Sequence, residues 1–248
     1  MKPNENTERL HDMTQLIKRM SAFLLCLMLL MGAYTETALA APDWPSGVSV
    51  QAESGIVIDA DTGTVLWGQN IHNQYFPASI TKIMTALIVI EKCSLDETVT
   101  FSHNAVFNVE AGSSNAGINE GDKLSVKDCL YALLLKSANE SANALAEHVA
   151  GSTEAFADMM NAKAKELGCT DTHFANPSGL NNPEHYTSTY DMALIARAAF
   201  LNPTFEEIDS TTYYKLPPNS INPEGLTIYP GHKMLKKSTP YYYPGIVG

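Results

Sequence analysis

The sequence predicts an α/β chain of the α+β kind, an antiparallel sheet joined to a mostly helical part. Three observations carry this. Residues 49–67 alternate apolar with polar or small side chains around a glycine-bearing turn, residues 79–199 hold a succession of helix-like apolar blocks, and from Thr211 tyrosines, prolines and short apolar stretches return to strand or extended loop. At 248 residues and 45% hydrophobic content the chain has enough apolar surface for a real core. No repeat and no low-complexity linker interrupts it.

The first forty residues are set apart. Lys18 and Arg19 precede an apolar run from Met20 to Tyr34, followed by Ala38-Leu39-Ala40 ahead of Ala41-Pro42. That is the layout of a signal peptide, with a run too short to span a bilayer comfortably and small residues at a cleavage point after Ala40. Met13 or Met20 is an alternative start. The expected organisation is a signal peptide over 1–40, export to an extracytoplasmic location, and one catalytic domain over 41–248.

In the mature part, Val50, Ala52, Ile56 and Ile58 alternate as in a strand, Asp59 to Gly63 reads as a turn, and Thr64 to Trp67 as the returning strand. Pro77-Ala78-Ser79 then leads into Ile80, Ile83, Met84, Leu87, Ile88, Val89 and Ile90, an apolar set that wraps most of the way round a buried helix. Helices are expected over Val126–Leu135, over Ala142–Ala150 with Gly151 at the stop, over Thr153–Leu167 with Gly168 at the stop, and over Met192–Ala199. Ser188 is the expected N-cap of the last, with Asp191 three residues on in a weaker relative of the capping box. Asn176-Pro177-Ser178-Gly179 reads as a turn.

Charge and cysteine usage exclude some functions. A formal net charge of -11 repels a phosphate backbone, so no nucleic-acid partner is expected. Cys26 falls inside the signal without the small residues a lipoprotein site needs. Cys93, Cys129 and Cys169 are odd in number and lack Cys-x-x-Cys spacing, which predicts core cysteines, with neither a full disulfide set nor a zinc site. No metal and no cofactor are expected.

Ser79 and Lys82 are the pair that invites chemistry. Three residues apart at a helix start, they lie on one face within mutual reach. A serine hydroxyl becomes a nucleophile when a base takes its proton, and a lysine amine serves once burial lowers its pKa. Free N–H groups at the helix start can also hold the oxyanion formed on attack at a carbonyl. One Ser-x-x-Lys match is about what composition gives by chance in a chain this long. Ser79 is the sole match, and it sits where the apolar periodicity independently starts a buried helix. Ser-x-Asn occurs at Ser102, Ser113, Ser137, Ser141 and Ser220; Ser137-Ala138-Asn139 alone lies at a junction between two apolar helices, where both side chains can face a cleft, while Ser141 and Asn143 read as helix surface.

Pro77-Ala78-Ser79-Ile80-Thr81-Lys82-Ile83-Met84-Thr85-Ala86 resembles the nucleophile helix of the D-alanyl-D-alanine carboxypeptidases, the low-molecular-mass penicillin-binding proteins. The likeness continues in Asp59-Ala60-Asp61-Thr62-Gly63, Leu133-Leu134-Leu135-Lys136-Ser137-Ala138-Asn139 and Ala146-Glu147-His148-Val149-Ala150-Gly151. It extends through Thr172-His173-Phe174-Ala175-Asn176-Pro177-Ser178-Gly179-Leu180 and Thr187-Ser188-Thr189-Tyr190-Asp191.

The resemblance implies a β-lactamase and penicillin-binding-protein transpeptidase-like fold. It also implies a serine hydrolase of peptidoglycan biosynthesis that removes the terminal D-alanine of stem pentapeptides through an acyl-enzyme on Ser79. Lys82 would be the base, Ser137 the proton relay to the departing D-alanine, and Asn139 the residue that holds the substrate amide; β-lactam antibiotics would acylate the same serine. The family's third motif, Lys-Thr-Gly on an edge strand, does not occur in the 248 residues. Gly248 is therefore expected to be a truncation that leaves the sheet incomplete and this form inactive or nearly so, with any membrane anchor in the missing C-terminal part. The alternatives are a non-catalytic peptidoglycan-binding pseudo-enzyme and a serine β-lactamase, the latter lacking here the Glu-x-x-Leu-Asn segment that a glutamate base requires.

Overall fold

The computed structural model describes residues 16, 18–21, 50–243 and 246. Contacts divide the chain into Met1–Val48 and Ser49–Gly248. In the first unit, Leu16 and residues 18–21 are helical; the apolar run beyond Ser21, Cys26 and the Ala40 cleavage point lie outside the described residues. Among the described residues no helix is long and apolar enough to cross a membrane.

The second unit opens with the expected hairpin. β1 (Gly55–Ile58) pairs antiparallel with β2 (Val65–Gln69), in a register from Gly55 opposite Gln69 to Ile58 opposite Val65. Gly63 closes the turn at φ 77°, a left-handed backbone that a side chain would strain. The turn is also tied down from outside: Arg197 donates from Nε to Ala60 O (2.7 Å) and from Nη2 to Asp61 O (2.6 Å). A second pair, β3 (Thr98–Thr100) with β4 (Lys123–Ser125), and a third, β5 (Tyr214–Leu216) with β6 (Leu226–Ile228), are also antiparallel. The described strands thus form three separate two-stranded sheets rather than one.

Between them lie the helices: α1 (Lys82–Lys92), α2 (His103–Phe107), α3 (Val126–Lys136), α4 (Asn139–Ala150), α5 (Thr153–Glu166), α6 (Thr189–Phe200) and α7 (Pro203–Asp209). α1 is the hub, packed against α3, α4, α5, α6 and α7. Met84, Ala86, Leu87, Ile88 and Val89 are all buried, as the near-continuous apolar pattern required. Polar caps fix the starts of five other helices. Ser102, Ser125, Ser152, Ser188 and Asn202 each accept from a backbone N–H of the first turn, an interaction worth about 1 kcal/mol apiece.

Several local expectations are corrected. Ser79 does not open an α-helix: Ala78–Thr81 is a 3-10 turn and α1 begins at Lys82. Ile80, in that turn, points outward and is half exposed. α4 starts at Asn139 rather than Ala142, and Ser141 and Asn143 are buried, not surface, because α4 is packed by α2, α3 and α5 together. Asn143 Nδ2 reaches the carbonyl of Ala105 at 3.3 Å, which satisfies it in that setting. Ser188 caps α6 as expected, but the Asp191 carboxylate turns away from it to accept from Asp171 N and Thr172 Oγ1, both at 2.7 Å. The full capping box is instead Ser125 with Asp128 at the start of α3. Of the cysteines, Cys129 is core as expected, whereas Cys93 and Cys169 lie outside the helices and are only half-buried.

Candidate active site

Ser79 is presented by strained backbone. Ala78 before it has φ 50° and Ser137, across the cleft, φ 58°; the remaining non-glycine left-handed residue among those described is Asn70, a type that tolerates it. The turn containing Ser79 is pressed into place by the Asn176–Gly179 loop. Any side chain at Gly179 would run into the Ala78 carbonyl oxygen, and Gly179 itself has φ 82°. Both features demand glycine. Gly179→Ala is expected to destabilise the domain by roughly 2 kcal/mol or more, seen as a lowered midpoint in denaturant titration.

The loop is itself locked by Asn176, whose Oδ1 accepts from Gly179 N at 2.8 Å and from the Ser178 hydroxyl at 3.1 Å. Thr85 Oγ1 donates to Pro177 O at 2.7 Å, which binds the loop to α1. Thr81, the residue before α1, bonds His185 Nε2 at 2.8 Å. His185 Nδ1 accepts from Ala175 N, so the proton sits on Nε2 and Thr81 Oγ1 is the acceptor. Burial, with His173 nearby, pulls the His185 pKa down to about 4, keeping the ring neutral near neutral pH.

Lys82 is 2% exposed, and its ammonium is surrounded by oxygens. Nζ donates to Ser178 O at 2.6 Å, to Asn139 Oδ1 at 2.8 Å and to Ser79 Oγ at 3.3 Å. Burial draws its pKa down to about 8, against the opposing pull of Glu140. At pH 7 about a tenth of such amines are neutral, so a base is available beside the Ser79 hydroxyl.

Glu140 follows Asn139 in the first turn of α4 and is itself buried, which raises its pKa. Its Oε1 accepts from Ala116 N at 2.6 Å, while Oε2 has no partner among the described residues. Glu140→Gln keeps the bond to Ala116 and removes the charge that raises the Lys82 pKa. The midpoint of any Lys82-dependent rate is expected to move to lower pH; an unmoved midpoint in the pH–rate profile would exclude this coupling.

Ser137 is the left-handed C-cap of α3, and its Oγ is buried without a partner among the described residues. Ser79, Lys82 and Ser137 line one cleft of about 730 Å³, which Tyr229, His232 and Lys236 also line. Asn139 reaches this group through Lys82 and is held by its own N–H to Ser114 O at 3.0 Å. All four residues singled out in the sequence are therefore brought together. A neighbouring hollow of about 750 Å³, between Ile56, Ile58, Ile80, Ile83, Met192 and Phe200, is apolar and carries none of these groups.

The family model described as D-alanyl-D-alanine carboxypeptidase matches residues 36–234. The chain belongs to the D-alanyl-D-alanine carboxypeptidase family. Within this family it is 37% identical over 185 residues to D-alanyl-D-alanine carboxypeptidase DacF of Bacillus subtilis, covering 72% of this chain and 46% of that protein. Among solved structures it is similar to penicillin binding protein 6B from Escherichia coli (TM-score 0.72, 32% identity, 81% of this chain and 64% of that one). It also resembles the D-alanyl-D-alanine carboxypeptidase from Mycobacterium tuberculosis (TM-score 0.71, 31% identity, 85% and 75%). The chain spans about half the length of relatives such as DacF. Its fold is that of the penicillin-binding DD-peptidases, as the sequence implied.

The family's fold also accounts for what motif reading left aside. The Ser178 carbonyl and Glu140 act on Lys82, and Gly179 and His185 on the neighbouring Ala78 and Thr81, all from elements far away in sequence. The Asn176–Gly179 motif was the available signal for Ser178 and Gly179; burial of Glu140 gave none.

Proposed function

We propose that this chain carries the catalytic machinery of a serine-type D-alanyl-D-alanine carboxypeptidase, with residues 1–40 a signal peptide and residues 41–248 catalytic-domain sequence. The substrate is the peptidoglycan stem pentapeptide ending in D-alanyl-D-alanine, reached after export to the extracytoplasmic side, and β-lactams are covalent inhibitors. The observation that carries this reading is the Lys82 amine, drawn down to about 8 by burial and 3.3 Å from the Ser79 hydroxyl.

In the first half-reaction neutral Lys82 takes the Ser79 proton as Oγ bonds to the carbonyl carbon between the two D-alanines. The backbone N–H of Ser79, in the 3-10 turn ahead of α1, holds the resulting oxyanion. The C–N bond breaks, and the departing amine receives a proton passed through the Ser137 hydroxyl, whose unpartnered position supports that role. Water then adds to the acyl-enzyme, the ester bond breaks, and Ser79 regains its proton. Asn139 fixes the Lys82 amine and is available to the substrate amide.

The test is release of free D-alanine from a synthetic stem pentapeptide by the native gene product. Stoichiometric tetrapeptide and D-alanine are expected, together with inhibition by penicillin. A product that binds the peptide and releases no D-alanine would exclude the reading.

A further inference from the structure

α1 and α4 both begin at the cleft, with Lys82 and Asn139, and both end at a second cluster of reactive side chains. Cys93 is the C-cap of α1, and His148 lies in the last turn of α4. An 11-residue helix is about 16 Å long, so this cluster stands well away from Lys82. Glu97, in the loop after Cys93, completes it.

We propose that Cys93, Glu97 and His148 form a binding site for a divalent transition-metal ion of the zinc type. The Cys93 sulfur, a Glu97 carboxylate oxygen and a His148 ring nitrogen all lie within 4.8 Å of one another, the sole such grouping among the described residues. Bonds of about 2.3 Å to sulfur and 2.0–2.2 Å to nitrogen and oxygen put tetrahedral donors about 3.3–3.8 Å apart. Small side-chain rotations close the difference, and His148 Nε2 already stands 3.0 Å from Glu97 Oε2. One coordination position is left to solvent on this part-exposed face.

The frame is fixed by backbone. Cys93 N donates to Val89 O at 2.9 Å, and the loop carbonyls of Leu95 and Glu97 accept from Lys127 N and Val126 N, each at 2.9 Å. Glu97 uses its other oxygen, Oε1, to accept from Ser94 N at 2.6 Å, the kind of outer bond that orients a ligating carboxylate. A thiolate, imidazole and carboxylate set suits Zn2+ or Co2+ and disfavours Mg2+ and Ca2+. Cys93 is a free thiol and ligates as the thiolate, so it must lose its proton. A dication supplies the charge that ionises it, and that proton leaves to solvent as the metal–sulfur bond forms.

Spacing alone could not reveal the site. Cys93 and Glu97 offer two ligands, and the third comes from 51 residues beyond Glu97 on another helix. Bound metal would clasp the C-terminal ends of the two helices whose N-terminal ends carry Lys82 and Asn139.

The test is titration of the untagged, chelator-treated chain with Co2+ followed by absorption. One equivalent is expected to give near-ultraviolet thiolate-to-cobalt bands and tetrahedral visible bands, both abolished by stoichiometric Zn2+. Cys93→Ser should lose the near-ultraviolet bands, and His148→Ala should weaken binding by at least the tenfold or so that losing an outer-sphere partner costs. Cys129→Ser and Cys169→Ser should leave the spectrum intact. Should His148→Ala fail to fold by circular dichroism, Glu97→Gln takes its place with the same expectation. Absence of a thiolate band, or a band that survives Cys93→Ser, would overturn the site.

Discussion

Replacing Ser79 with alanine is expected to abolish covalent labelling of the native gene product by a fluorescent penicillin while leaving its stability within about 0.5 kcal/mol of the parent. Two features predict this separation. Ser79 is exposed and its Oγ has one long contact, to Lys82 at 3.3 Å, so little packing or hydrogen bonding is lost with it. Chemically, the exposed hydroxyl next to a buried amine is the group an acylating ring meets in the cleft. Labelling and a denaturant titration on the same sample separate the two effects. Residual labelling in Ser79→Ala would move the nucleophile elsewhere.

Lys82→Ala carries the second large effect. Loss of a general base typically costs 10²- to 10⁴-fold, and a drop of about that size is expected in the acylation rate. Its pH profile is more diagnostic than its size. In the parent the rate should climb as pH rises through about 8, because the raised pH empties Lys82 of its proton and only the neutral amine accepts one from Ser79. The variant should lose that inflection. Lys82→Ala also leaves Asn139 Oδ1 and Ser178 O without their donor, so the fold must be checked by circular dichroism before the rate is read. An inflection near 8 that persists in a folded variant would assign the base to another group.

Much of this architecture was legible because it is written in local periodicity. The hairpin at Gly63, the buried α1 and the stops at Gly151 and Gly168 follow from alternation, apolar wrap and left-handed glycines close in sequence. The four candidate residues were legible for a similar reason, since Ser79 with Lys82 and Ser137 with Asn139 are short-range patterns at element junctions. What escaped is what long-range packing decides. The 3-10 turn at Ser79 depends on Ala78 taking a positive φ against Gly179, a hundred residues on. The burial of Ser141 and Asn143 depends on α1, α2, α3 and α5 closing round α4. Asp191 resembles a capping-box residue until the 170s loop arrives to claim its carboxylate. Glu140, the charge that tempers Lys82, is an ordinary helix glutamate in sequence and bears on Lys82 only through its depth.

Peptide mapping of the native gene product after penicillin treatment at pH 6 and pH 9 decides whether a neutral Lys82 makes Ser79 the acylated residue. A single adduct is expected, on the peptide containing Ser79 and on that side chain, forming markedly faster at pH 9. An adduct on any other residue would move the nucleophile, and a Ser79 adduct that forms equally fast at both pH values would remove Lys82 as its base.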